Sequence, residues 1–80
     1  MTEQEIYDRL SEIFRDVFFR DDIVLAPDLT AADVAGWDSM KQVDLILSIE
    51  QRFSIRMSSR EIDHLRNVGD FVDIIMVKST

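Results

Sequence analysis

The chain has no cysteine, one proline, two glycines and one histidine among its 80 residues. Without cysteine there is no disulfide, no thiolate metal ligand and no thiol nucleophile. A reducing compartment is allowed by that absence. A lone imidazole is a poor start for a metal site, so His64 reads as a surface or helix-end residue. Basic residues are also scarce: nine Lys and Arg stand against sixteen Asp and Glu, for a net charge of −7. That balance argues against nucleic acid, whose phosphates need a basic patch. No apolar run reaches the length of a membrane span, and Met1-Thr2-Glu3-Gln4-Glu5 lacks the basic residues of a signal region. A cytoplasmic monomer with no membrane span is therefore expected.

Hydrophobic residues make up 46% of the chain, enough for a packed core and too many for a disordered segment. Eighty residues correspond to one small domain, 1–80, near the size at which a single core only just suffices. The apolar pattern is helical throughout. A Thr2-x-x-Glu5 capping box starts a first helix at about residue 3. Ile6, Leu10, Ile13, Phe14 and Val17 form its buried stripe, and it ends near residue 19. Residues 20–38 form an unusually long connection, expected to be ordered and pinned by Ile23, Val24, Leu25 and Leu29. Within it Thr30 and Asp33 can cap one helical turn. Asp21, Asp22, Asp28 and Asp33 match no calcium-loop spacing and read as a solvated acidic loop.

A second helix spans about 39–53. Leu45, Ile46, Ile49 and Phe53 fall on one stripe, while Met40, Val43 and Leu47 fall on a second, turned away from the first. Either both stripes are buried, or the second stays exposed to meet partners. Ile55 and Met57 point inward from a short connection, Ser58 or Ser59 caps a short third helix over about 60–65, and a last helix opens at Asn67-Val68-Gly69-Asp70. That last helix is expected to bury Val68, Phe71, Val72 and Ile75.

The stretch around which the rest is organised is Gly36-Trp37-Asp38-Ser39-Met40-Lys41-Gln42-Val43-Asp44-Leu45. A glycine turn ends there and a periodic helix begins. Ser39 with Gln42 three residues later reads as a capping box, which would place the serine hydroxyl at the positive end of a helix dipole, where phosphate is well tolerated. The block D-S-M-x-x-V-x-L-I, continuing through Ile49, Glu50, Phe53-Ser54-Ile55, Val68-Gly69-Asp70 and Ile74-Ile75, resembles the acyl carrier protein family over at least residues 36–75. The resemblance implies an all-α four-helix carrier bundle with three main helices, a short third helix and a long first loop. It also implies that Ser39 carries 4'-phosphopantetheine, transferred from coenzyme A by a phosphopantetheinyl transferase, and holds acyl groups as thioesters. Asp38 matches the acid that precedes the modified serine. Gly36 supplies a special backbone angle or room for the arm, and Trp37 packs on the long loop or rests against the arm, with loop packing the favoured reading. Met40, Lys41, Val43, Asp44 and Leu47 lie at positions that face partner enzymes in that family: the transferase, an acyl-loading ligase or synthase, and an acyltransferase. The acyl chain itself is a candidate for shelter between helix two and the others, against Met40, Leu47 or Met57.

The charge is unevenly spread. Residues 1–37 hold nine acids and three bases, whereas residues 38–53 hold three acids and two bases. Familiar fatty-acid carriers are acidic along helix two, so partners less uniformly basic than theirs are expected. Asp38-Ser39-Met40 followed by Lys41 resembles specialised discrete carriers, which implies a specialised lipid, polyketide-like or polysaccharide-modifying pathway, with aminoacyl (D-alanyl or peptidyl) carriage as the alternative. Catalysis in its own right lacks support. Ser39 has no nearby base in sequence and no nucleophile-elbow pattern, and the chain is small for a substrate cleft. A competing class is an unmodified helical interaction module, with Ser39 serving only as a cap.

Overall fold

The computed structural model describes residues 1–79, with helices α1 (Glu3–Phe18), α2 (Ser39–Phe53), α3 (Ser59–Asp63) and α4 (Val68–Lys78) and a single 3-10 turn over Ala31–Asp33. The described residues contain no strand. Three of the four helix starts follow local rules that the sequence announces. The Thr2 hydroxyl accepts from the Glu5 N–H while the Glu5 carboxylate accepts from the Thr2 N–H. Ser58 and Glu61 repeat this reciprocal pair at α3. The Asn67 side chain accepts from Asp70 N–H at α4. Each arrangement satisfies N–H groups that a helix start otherwise leaves without partners.

The α1 helix packs against both α2 and α4, and the core is built on that contact. Ile6, Leu10, Ile13 and Phe14 of α1 meet Leu45, Ile46, Ile49 and Phe53 of α2 and Val68, Phe71, Val72 and Ile75 of α4. Ile55 and Met57 are buried from the α2–α3 connection, as their spacing predicts. The α1–α2 pair is also laced at the surface, where Arg52 reaches Glu12 at 3.1 Å and Asp16 at 2.8 Å.

The long loop is ordered by its backbone as much as by its side chains. The Pro27 and Leu29 carbonyls accept from Gly69 N–H at 2.9 Å and Val68 N–H at 3.0 Å, so the loop closes the start of α4. A Cβ on Gly69 would sit 3.0 Å from the Pro27 oxygen, which is why this close approach takes a glycine. Ile23, Leu25 and Leu29 pack against the core, but Val24 does not; it is exposed, a correction to the four-residue pin expected from the sequence. In an irregular segment, side-chain direction follows local dihedrals and not a fixed period, so a run of three apolar residues cannot all face inward.

Candidate functional site

The site is the junction where the loop turns into α2. Gly36 holds φ +89°, with open space where a Cβ would stand, so the backbone angle and not crowding calls for glycine. The Trp37 and Asp38 N–H groups bond to the Val34 and Gly36 carbonyls, which swings Asp38 into the extended conformation of an N-cap. Its carboxylate accepts from Lys41 N–H at 2.9 Å and its carbonyl from Gln42 N–H at 2.9 Å.

Asp38, then, and not Ser39, caps α2. The capping box read from Ser39 and Gln42 is one residue out of register, and the Gln42 side chain is used differently, its Oε1 accepting the Trp37 indole N–H at 2.7 Å. Ser39 becomes the first helical residue. Its exposed hydroxyl makes no side-chain hydrogen bond among the described residues. The Ser39 and Met40 N–H groups, ahead of the first capped amide, have no intrahelical acceptor. An anion at this hydroxyl would meet free N–H donors and the positive end of a 15-residue helix. The chemistry of the position therefore fits a phosphodiester, with the neighbouring Asp38 carboxylate already engaged in capping.

Trp37 packs into the aromatic end of the core, 5.3 Å edge-on to Phe14, 6.0 Å from Phe18 and 6.4 Å from Phe71 between ring centroids, helix partners that the sequence reading did not name. One face of the indole remains part of an open groove of about 440 Å³ that runs from Asp38 and Ser39 past Gln42 to Leu65, Arg66, Phe71 and Ala31. Sequence reasoning did not connect Ala31, Leu65 or Arg66 with Ser39. They lie on separate elements, and no spacing rule links them.

The second apolar stripe of α2 is exposed: Met40 is 76% accessible, and Val43 and Leu47 are each 54% accessible. Asp44 lies with them at the surface. Lys41 turns aside. Its ammonium donates to the Val17 carbonyl at 3.0 Å and lies 5.7 Å from the Phe19 ring centroid, so it closes the C-terminal end of α1. Of the three residues expected to shelter an acyl chain, Met40 and Leu47 face outward and only Met57 is buried in the core. His64 ends α3, its Nδ1 2.7 Å from the Arg60 carbonyl, an exposed helix-end residue as its isolation predicts. Among the described residues no group of three His, Cys, Asp or Glu side chains is placed to hold a metal. No helix in them is long and apolar enough to cross a membrane.

A family model described as a phosphopantetheine attachment site matches residues 8–75. An acyl carrier protein of Kineococcus radiotolerans is 35% identical over 75 residues, covering 92% of this chain and 91% of that one. One of Guillardia theta is 30% identical over 78 residues, covering 98% and 96%. The chain belongs to the acyl carrier protein family. The solution structure of a holo acyl carrier protein from Geobacter metallireducens superposes with a TM-score of 0.85 at 40% identity, covering 90% of this chain and 83% of that one. The helical order and long first loop of this carrier are thus those of the family. Its prosthetic group is 4'-phosphopantetheine. The role is carriage and not catalysis, as in the acyl carrier proteins that the chain matches.

Proposed function

We propose that Ser39 is the residue to which 4'-phosphopantetheine is attached, through a phosphodiester made by a phosphopantetheinyl transferase from coenzyme A. The observation that carries this reading is the Ser39 hydroxyl itself, exposed and unpartnered at the first position of α2 beside N–H groups that have no acceptor. Asp38 sets the direction of that position by capping the helix, Gly36 provides the turn that leads into it, and Trp37 anchors the turn to the core. Tethered there, an acyl group is held at high effective concentration for each enzyme that docks.

Met40, Val43, Asp44 and Leu47 then form the face that partner enzymes contact: an acyl-loading ligase or synthase and an acyltransferase. Met40 suits a surface that meets several partners, because its side chain adapts. With Lys41 drawn toward α1, this face carries Asp38 and Asp44 and little other charge, which favours partners that combine an apolar pocket with a few basic residues. A specialised lipid, polyketide-like or polysaccharide-modifying pathway fits that surface, and an aminoacyl cargo remains the alternative.

The test is intact mass after incubation with coenzyme A and a broad-specificity transferase, with Ser39→Ala alongside. One phosphopantetheine gained by the parent and none by the variant is the expected result. Equal gain in both would move the site to another residue. No gain by folded parent with several transferases would leave an unmodified interaction module.

A further inference from the structure

The end of the bundle beside Ser39 is filled, and what fills it is Trp37. The indole is wedged between Phe14 and Phe18 of α1 and Phe71 of α4, and its N–H is pinned by Gln42 Oε1 at 2.7 Å. Phe14 and Phe71 behind it are each 1% exposed, and Leu45, Ile49 and Val68 are fully buried. An aliphatic chain entering the core from Ser39 would have to displace a ring held by three aromatic contacts and a hydrogen bond, and close packing leaves no slack to take up its volume.

Outside that plug the groove offers a different berth. At about 440 Å³ it is within the usual range of small-molecule sites. Ser39 lies on its rim, so anything tethered there reaches it without crossing the protein. Its walls are mixed: Trp37 and Leu65 present apolar surface, while Gln42 and Arg66 present donors. The Gln42 oxygen is committed to the indole, which leaves its NH₂ free to donate. Arg66 uses Nε toward Asp70 at 3.3 Å, with its terminal nitrogens left as donors on a side chain 82% exposed.

We infer that this carrier holds its cargo outside the helical core, in the Trp37 groove, and that the cargo is a short acyl group bearing oxygen acceptors rather than a long aliphatic chain. The inference rests on Ser39 bearing the arm. Trp37 acts as a plug that keeps the core closed, and Gln42 and Arg66 are the groups that meet carbonyl, hydroxyl or carboxylate oxygens of the cargo.

The test loads the full chain from coenzyme A, from 3-hydroxybutyryl-coenzyme A and from octanoyl-coenzyme A, with occupancy checked by intact mass. Two readouts follow: the Trp37 indole N–H resonance, and hydrogen exchange at Leu45 and Ile49. The expected result is a further shift of the indole resonance on going from free thiol to 3-hydroxybutyryl cargo. Core exchange should stay within about twofold for octanoyl relative to free thiol, because no chain enters. In Trp37→Leu, which keeps an apolar side chain but removes the plug, octanoyl should slow core exchange by about tenfold. Octanoyl slowing the parent's core exchange beyond twofold overturns the inference, as does an indole resonance indifferent to cargo, or a Trp37→Leu core as indifferent to octanoyl as the parent's. Failure of Ser39 to load at all overturns the carrier reading and this inference with it, and the mass spectrum separates that case from the others.

Discussion

At the scale of single residues, the one-position shift of the α2 cap separates two neighbours that sequence reasoning merges. Asp38 is the structural residue: its carboxylate holds Lys41 N–H and its charge faces the helix dipole. Ser39 is helical, exposed and without a structural hydrogen bond. Asp38→Ala should therefore cost about 1 kcal/mol, whereas Ser39→Ala should change stability by less than about 0.5 kcal/mol while removing the loading site. Urea denaturation of both variants, compared at equal m-value, reads this directly. A serine that proved the more costly to remove would restore it as the cap.

The elements show the same economy at their ends. Both α1 and α2 stop on a non-glycine residue in the left-handed region, Phe19 and Ser54, each at φ 54°. Ser54 is exposed, and its backbone N–H already bonds to the Glu50 carbonyl, so its side chain contributes little. Ser54→Gly should stabilise the chain by about 1 kcal/mol by relieving the left-handed strain, seen as a melting temperature higher by about 4–8 °C. Phe19 is less free to change, since its 87% exposed ring lies beside the Lys41 ammonium that closes α1.

At the start of α4, the Asp70 carboxylate is held below the usual carboxylate range by the Arg66 backbone N–H first, then by the Arg66 side chain and the Asn67 backbone. Such a group binds its proton less readily when folded than when unfolded, so its contribution is present above the ordinary aspartate pKa. That contribution fades as pH falls through the depressed folded value. Glu5 and Glu61 are lowered in the same direction by their capping boxes, through the Thr2 and Ser58 backbones. Thermal stability should fall on acidification below about pH 4, and Asp70→Asn should flatten part of that fall in melts taken at successive pH values.

Across the whole molecule, helix-to-helix packing carries the stability and surface charge only trims it. Arg52 joins α2 to two carboxylates on α1, but all three groups are well exposed. Arg52→Ala should cost no more than about 1 kcal/mol, and the loss should shrink as salt is raised from low to physiological strength. A large, salt-insensitive loss in melting experiments would mean that the aliphatic stem of Arg52, not its charge, holds the pair together. The acidity that gives the chain its −7 lies mostly on α1 and the long loop, leaving the exposed Met40, Val43 and Leu47 stripe in a comparatively neutral setting.

What the sequence by itself determined is what depends on near neighbours along the chain. The capping box at Thr2, the bounds of α2 and its two apolar stripes all follow from spacings of three and four residues, and the structure reproduces them; that Ser58 and not Ser59 caps α3, and that the second stripe stays exposed, the structure decided. The serine motif and its family belong to the same class, since Asp38, Ser39 and Met40 are contiguous. The choice between Asp38 and Ser39 as cap turned on the φ angles of the Gly36 turn, which two cap-forming residues side by side leave open. Only the tertiary structure decided where Trp37 goes, because its partners Phe14, Phe18 and Phe71 lie 19 to 34 residues away and any apolar surface within reach would have satisfied it equally in sequence terms. The groove beside Ser39 belongs to that second class: it exists because α2, the long loop and the α3–α4 connection converge, and convergence is a property of packed elements that no local pattern encodes.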